Sequence, residues 1–291
     1  MSATGASPDP EWKAAQEFIQ RIGILKRTAI IPLINAEMAS GQSTFENVMA
    51  VIRNDPLMSQ RVIDVSNSAW FGGRLKVDTI EEALLRMGVK EFYNVVIIAA
   101  LKAGLGQGRG QASWWAHVET VARDCELMAR CLSREQIMPA FLAGLLHDYA
   151  VPFMARVLDG YLPCAEGALA CTPAVIEKEN RRFKMNHCAV GAVLLTAWQF
   201  PAPLVEAVRY HHHTSLAAAP SPEGRRVLAL LMLTERLDSM CRNLVTVMFG
   251  ESGEEALLGE MAFALEVTRE KINEVLAEVA RLYRLRQEHG G

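Results

Sequence analysis

Apolar residues recur at three- and four-residue steps almost from end to end of the chain, and strictly alternating runs are almost absent. A 3.6-residue period gathers such positions on one face of a helix, so the pattern predicts an all-α fold. Ser43-Thr44-Phe45-Glu46 and Thr79-Ile80-Glu81-Glu82 have the form of capping boxes, in which a hydroxyl and a carboxylate each satisfy an open backbone N–H of a first turn. Asp55-Pro56 and Thr172-Pro173 place a capping side chain before a proline, whose fixed φ and missing N–H suit the first helical position. Gly88, after Ala83-Leu84-Leu85-Arg86-Met87, supplies a left-handed stop, and Gly72-Gly73 a break before it. Short helices joined by tight turns follow.

The clearest shift along the chain is Gly104-Leu105-Gly106-Gln107-Gly108-Arg109-Gly110, read as a hinge. Its glycines alternate without a preceding strand, so they do not match the dinucleotide fingerprint. Three parts result: an N-terminal helical subdomain over 12–106, a second over 111–242 and a C-terminal helical extension over 254–288. Pro220 and Pro222 mark a loop from Ala217 to Gly224, before a helix through Val227 to Cys241. In the extension, Ile272, Val275, Leu276, Val279 and Leu282 form an apolar stripe that must be covered by this chain, by a second copy in a homodimer or by a partner.

Composition narrows the class. The chain has 291 residues, 51% hydrophobic and 22% charged, enough for a large core. A net charge of -3 without a basic block argues against general nucleic-acid binding. The start lacks a basic segment followed by an apolar run, and the longest oily stretch, Val95 to Leu101, ends at Lys102, so neither export nor a membrane span is expected. Six cysteines at 125, 131, 164, 171, 188 and 241 form no C-x-x-C pair and read as reduced, mostly buried thiols of a cytoplasmic protein, without a cysteine-held structural zinc.

Every histidine except His289 lies between 117 and 213. His117 follows Trp114-Trp115-Ala116, and His147-Asp148 ends the apolar run Ala140 to Leu146. An imidazole and a carboxylate on such a run are costly to bury unless they meet a metal, a hydrogen-bond partner or each other. His187, His211 and His212 add imidazoles, and Glu179 and Glu235 add carboxylates; mixed nitrogen and oxygen donors suit zinc, iron or manganese. The alternative is a polar layer in which each histidine donates to a carbonyl or carboxylate with no ion present.

The words around these residues resemble a known family. His117 with Gly144-Leu145-Leu146-His147-Asp148 is similar to the H…HD core of the HD-domain metal-dependent phosphohydrolases. Val51-Ile52-Arg53-Asn54-Asp55-Pro56-Leu57, Asn67-Ser68-Ala69-Trp70-Phe71-Gly72 and Met87-Gly88 resemble the HDOD domain, the HD-related output domain of bacterial signalling proteins. Glu179, His187 to Leu195, Trp198-Gln199-Phe200-Pro201 and Ala207 to His212 continue that pattern in order.

The resemblance implies an N-terminal helical subdomain packed on an HD-like helical bundle, with His117, His147, Asp148, His187, His211 and His212 on one pocket able to hold a divalent metal. Glu179, Glu235 and Asp238 stand as outer or alternative ligands, Glu235 occupying the place of the final aspartate of the HD pattern. Tyr149-Ala150-Val151-Pro152 replaces the lysine-bearing stretch of HD phosphohydrolases, and His213-Thr214-Ser215 the Gly-Tyr-Pro word of the cyclic-di-GMP phosphodiesterases. No residue is therefore assigned a catalytic role. The expectation is a regulator that binds a signalling partner or small signalling ligand without turnover, any two-component input or transcriptional output coming from other chains. The alternative is a metal-dependent phosphohydrolase acting on a nucleotide or cyclic dinucleotide.

Overall fold

The computed structural model describes residues 9–22, 28–40, 46–68, 71, 76–105, 111–161, 173–241 and 251–289, the side chains at 111–113, 173, 238–241, 251–252, 254 and 283–289 excepted. All regular structure among them is helical: α1 (Pro10–Ile22), α2 (Ile30–Ser40), α3 (Glu46–Arg53), α4 (Pro56–Ser66), α5 (Ile80–Leu105), α6 (Gln111–Leu132), α7 (Ile137–Leu146), α8 (Ala150–Val157), α9 (Pro173–Phe183), α10 (His187–Ala197), α11 (Ala202–Tyr210), α12 (Pro222–Cys241), α13 (Glu251–Leu265) and α14 (Arg269–His289). The all-α expectation holds. Two compact units form, one from Gln20–Arg109 with Leu195–Phe200, the other from Met1–Ile19, Gly110–Leu194 and Pro201–Gly291.

In the smaller unit α2 to α5 close over Ile31, Ile34, Ile52, Val62, Phe92 and Ile98, all fully buried. Asp55 caps α4 by accepting from the Leu57 and Met58 amides at 3.0 and 3.1 Å. Thr79 accepts from the Glu82 amide at 3.1 Å, while the Glu82 carboxylate returns to the Asp78 amide at 2.8 Å, one residue earlier than a strict capping box. Gly88 takes φ of 74° and ψ of 171° inside α5, so the expected stop is a kink between two helical stretches. The Asn67 side chain accepts from the Val77 amide at 2.9 Å and donates to the Val77 carbonyl at 2.7 Å, fixing the turn after α4. Ser43-Thr44, Gly72-Gly73, Gly106 to Gly110 and Thr172 lie outside the described residues.

The larger unit is built around α6, α7 and α12. Within α7 every residue from Ala140 to Leu146 is buried, which matches its unbroken apolar run. Gly144 sets how closely α7 lies on α6: a Cβ there would stand 2.7 Å from Ala122 Cα and 2.9 Å from the Val121 carbonyl oxygen. Backbone cannot yield as a side-chain tip can, so Gly144→Ala is expected to destabilise the fold by about 1–3 kcal/mol or more. Urea denaturation checks this, and an unchanged midpoint would mean that α6 and α7 can separate freely.

The stripe of α14 is covered within the chain, by α6 and α12, with Ile272, Val275, Leu276 and Val279 buried. The stretch Arg134–Val157 has the length and mean hydropathy (1.3) of a membrane-crossing helix, but 78% of that apolar window is buried inside the protein. A turn at 147–149 breaks it between α7 and α8 and carries the His-Asp pair.

A buried histidine and carboxylate cluster

His147 and Asp148 sit where α7 gives way to α8, and each is 1% exposed. His147 Nδ1 lies 2.9 Å from the Gly144 carbonyl, an acceptor only, so Nδ1 donates and Nε2 turns its lone pair inward. There Nε2 meets Asp148 Oδ2 and Glu235 Oε1, each at 3.5 Å, the second carried by α12. From α6, the His117 ring stands 6.2 Å from that of His147, and one ligand atom from each of His117, His147 and Asp148 lies within 4.8 Å of the others.

The other face of Asp148 looks at α10 and the end of α11. Asp148 Oδ1 is 3.4 Å from His187 Nε2 and 3.6 Å from His211 Nε2. His211 Nδ1 donates to the Val208 carbonyl at 2.8 Å. His187 Nδ1 faces the Glu179 carboxylate at 2.9 and 3.0 Å, and the same carboxylate takes the His187 amide at 2.9 Å and the Tyr161 hydroxyl at 2.7 Å. Thus His147, His187 and His211 are each oriented through Nδ1 and aim Nε2 at one carboxylate. His212 closes this side with ring centroids 4.3 Å from His211 and 4.9 Å from His187, and neither of its nitrogens has a hydrogen-bond partner among the described residues. Behind α11, Arg209 holds Asp9 at 2.6 Å.

Asp148, Glu179 and Glu235 are all buried, and a buried carboxylate is costly unless donors or positive charge meet it. Burial pushes His147 down to about 4, and burial with His211 and His187 pushes His212 well below the usual histidine range. Burial opposes charge on His187 and His211 as well, yet Cys188 with Glu179 or Asp148 raises both well above it. Burial likewise opposes ionisation of Asp148, but the imidazoles, His147 foremost, hold it well below the carboxylate range. The cluster is poised for cations, whether protons or a metal.

The residues fit a metal. Their inward separations of 3.4–3.6 Å are too long for hydrogen bonds. Tetrahedral donors at zinc-like bond lengths stand about 3.4 Å apart. Among the described residues Asp148 Oδ1 and both His212 nitrogens find no hydrogen-bond partner, which ligation would remedy. The structure thus brings His117, His147, Asp148, His187, His211, His212 and Glu235 together. Glu179 is committed to His187 and Tyr161, one layer out, and the Asp238 side chain lies outside the described residues. Two neighbours escaped the sequence reading: Tyr161, which had no signal, and Cys188, whose only signal is its place beside His187.

The sequence profile of the HDOD domain matches residues 28–214, and the chain belongs to that family. Its fold is similar to that of an HDOD domain protein from Geobacter sulfurreducens (TM-score 0.69, 20% identity, covering 96% of this chain and 97% of that one). A proposed phosphohydrolase from Shewanella amazonensis SB2B has a TM-score of 0.67 at 20% identity, covering 91% of this chain and 93% of that one. A proposed signal transduction protein from Marinobacter aquaeolei VT8 also scores 0.67 at 20% identity, over 92% of this chain and 61% of that one. An uncharacterized protein of Treponema pallidum (strain Nichols) is 23% identical over 208 residues, 65% of this chain, which spans 39% of that relative's length.

Proposed function

We propose that this HDOD protein is a cytoplasmic signalling regulator that holds divalent metal in its histidine cluster and acts by binding a partner or small signalling ligand rather than by turnover. The observation that carries this reading is closure: His147, Asp148, His187, His211 and His212 are at most 3% exposed. These five offer a phosphate ester almost no accessible surface, while His117 on α6 is only half-buried. When bound, a divalent ion supplies the charge that the buried carboxylates require and the Lewis acidity that a hydrolase would use. The chain's own part is to orient three imidazoles through Gly144, Glu179 and Val208 and so tie α7, α10 and α11 to one point. Val151, buried on α8 where HD phosphohydrolases carry a lysine-bearing stretch, offers no cation to a substrate phosphate.

The names of the structural neighbours span both readings and, at 20% identity, decide neither. Metal analysis of the purified chain is expected to find bound divalent ion, and phosphodiesterase and phosphatase assays with added manganese, iron or zinc are expected to show little turnover. Robust hydrolysis that disappears in His147→Ala would reverse the conclusion and establish a metal-dependent phosphohydrolase.

A further inference from the structure

The two faces of Asp148 look onto donor sets of different chemistry. One gathers His117 and His147 with Asp148 and contains no sulfur. In the other, one ligand atom from each of His187, Cys188, His211 and His212 lies within 4.8 Å of the rest. Cys188 occupies the first turn of α10, fully enclosed, with its sulfur 3.5 Å from His187 Nε2 and 3.6 and 3.9 Å from Nδ1 and Nε2 of His211. His212 is 3% exposed, set edge-on to His187 and tilted against His211, and neither of its nitrogens has a hydrogen-bond partner among the described residues.

We propose that Cys188 is a metal ligand, and that His187, Cys188, His211 and His212 form a thiophilic zinc site through one thiolate and three imidazoles. The proposal rests on the reading of the cluster as a metal centre and goes further, because it makes the two halves unequal. Zinc bonds near 2.3 Å to sulfur and near 2.0–2.1 Å to nitrogen place those donors about 3.5 Å apart on a tetrahedron, the separation found between Cys188 Sγ and His187 Nε2. Both His187 and His211 use Nδ1 elsewhere, on Glu179 and the Val208 carbonyl, which leaves Nε2 as the nitrogen that would give up its proton to an incoming ion. A thiolate selects zinc over harder ions such as manganese or magnesium. The other half, with carboxylate oxygen and imidazole only, has no such selectivity. Cysteine pairing rules do not reach this site, because it uses a single sulfur and draws its other donors from histidine.

Cobalt(II) is the probe. The full-length chain, stripped with a chelator and titrated with cobalt, is expected to develop thiolate-to-cobalt charge transfer in the near ultraviolet together with intense tetrahedral d–d bands. Cys188→Ser, shown to be folded by circular dichroism, is expected to lose the charge-transfer band. Its zinc affinity should fall by more than the roughly 10- to 100-fold that outer-shell changes cost. His117→Ala is expected to keep the band. Cobalt bound without a sulfur band, or a band undiminished in Cys188→Ser, overturns the assignment and leaves the metal reading standing. Failure to bind cobalt, zinc or manganese at all overturns that reading and this one with it. Should Cys188→Ser not fold, zinc-edge X-ray absorption of the unaltered chain decides the matter: a sulfur scatterer near 2.3 Å supports the site, and a shell of nitrogen and oxygen alone overturns it.

Discussion

Glu179→Ala is expected to destabilise the folded chain by about 3–5 kcal/mol, the range found when one partner of a buried charged network is removed. Glu179 is fully buried and its two oxygens satisfy three donors: the His187 amide, His187 Nδ1 and the Tyr161 hydroxyl. Alanine would leave all three in a site too enclosed to hydrate freely, and each buried orphan costs about 1–3 kcal/mol. It would also free the His187 ring to turn, so Nε2 would no longer be fixed toward Asp148. Glu179→Gln should fall between alanine and the parent, because one oxygen can still accept while the amide N–H opposes another donor. Urea melts with an unchanged slope would measure the loss cleanly. A midpoint shift worth less than about 1 kcal/mol would show that these donors have other partners.

Much of the architecture was legible because helical periodicity, caps and glycine stops are local signals. Asp55 caps α4, and Gly88 bends α5 at the position its sequence context implies. Legibility failed where the outcome depends on which elements cross. Gly144 reads as one small residue in an apolar run, and its role appears only once Ala122 is seen 2.7 Å from where a Cβ would be. The histidines could be gathered only through a family resemblance, since 30 residues separate His117 from His147 and 40 separate His147 from His187. Cys188 was assigned to the core with the other thiols, and its burial is as expected. No spacing rule could show that its neighbours across the bundle are imidazoles. Tyr161 reaches Glu179 through a turn after α8 that carries no recognisable word.

Asp148 links these observations to the proposed role. One oxygen faces His147 at the end of α7 and the other faces His187 of α10 and His211 at the end of α11, so a single carboxylate stands where three helices meet. An ion on either face would draw those helices inward, and its loss would leave the Asp148 carboxylate to the imidazoles alone, at 3.4–3.6 Å. That is a stability coupling between metal occupancy and helix packing, available without catalysis.

Ending the chain at Glu254 is expected to yield a collapsed, aggregating product rather than a smaller folded protein. The deletion removes Leu257, Met261 and Leu265 of α13 and Ile272, Val275, Leu276 and Val279 of α14, all buried. At about 1.5–3 kcal/mol for each large aliphatic side chain, the loss is on the order of the entire stability of a domain. Fixed polar contacts go with it. Glu260 accepts from the Ser215 hydroxyl and the Leu216 amide at 2.8 and 2.7 Å, and Arg226 donates to the Ala264 carbonyl at 3.2 Å and pairs with Glu266 at 2.6 Å. Because α13 and α14 both pack on α12, which carries Glu235, the damage should reach the histidine cluster and lower metal retention as well. Size-exclusion chromatography with near-ultraviolet circular dichroism would test this: loss of the tertiary signal and elution as an aggregate are expected. A monodisperse truncated chain with native tertiary signal and metal content would instead mean that α13 and α14 dock on a core complete without them, leaving the α14 stripe free to serve as an interaction surface.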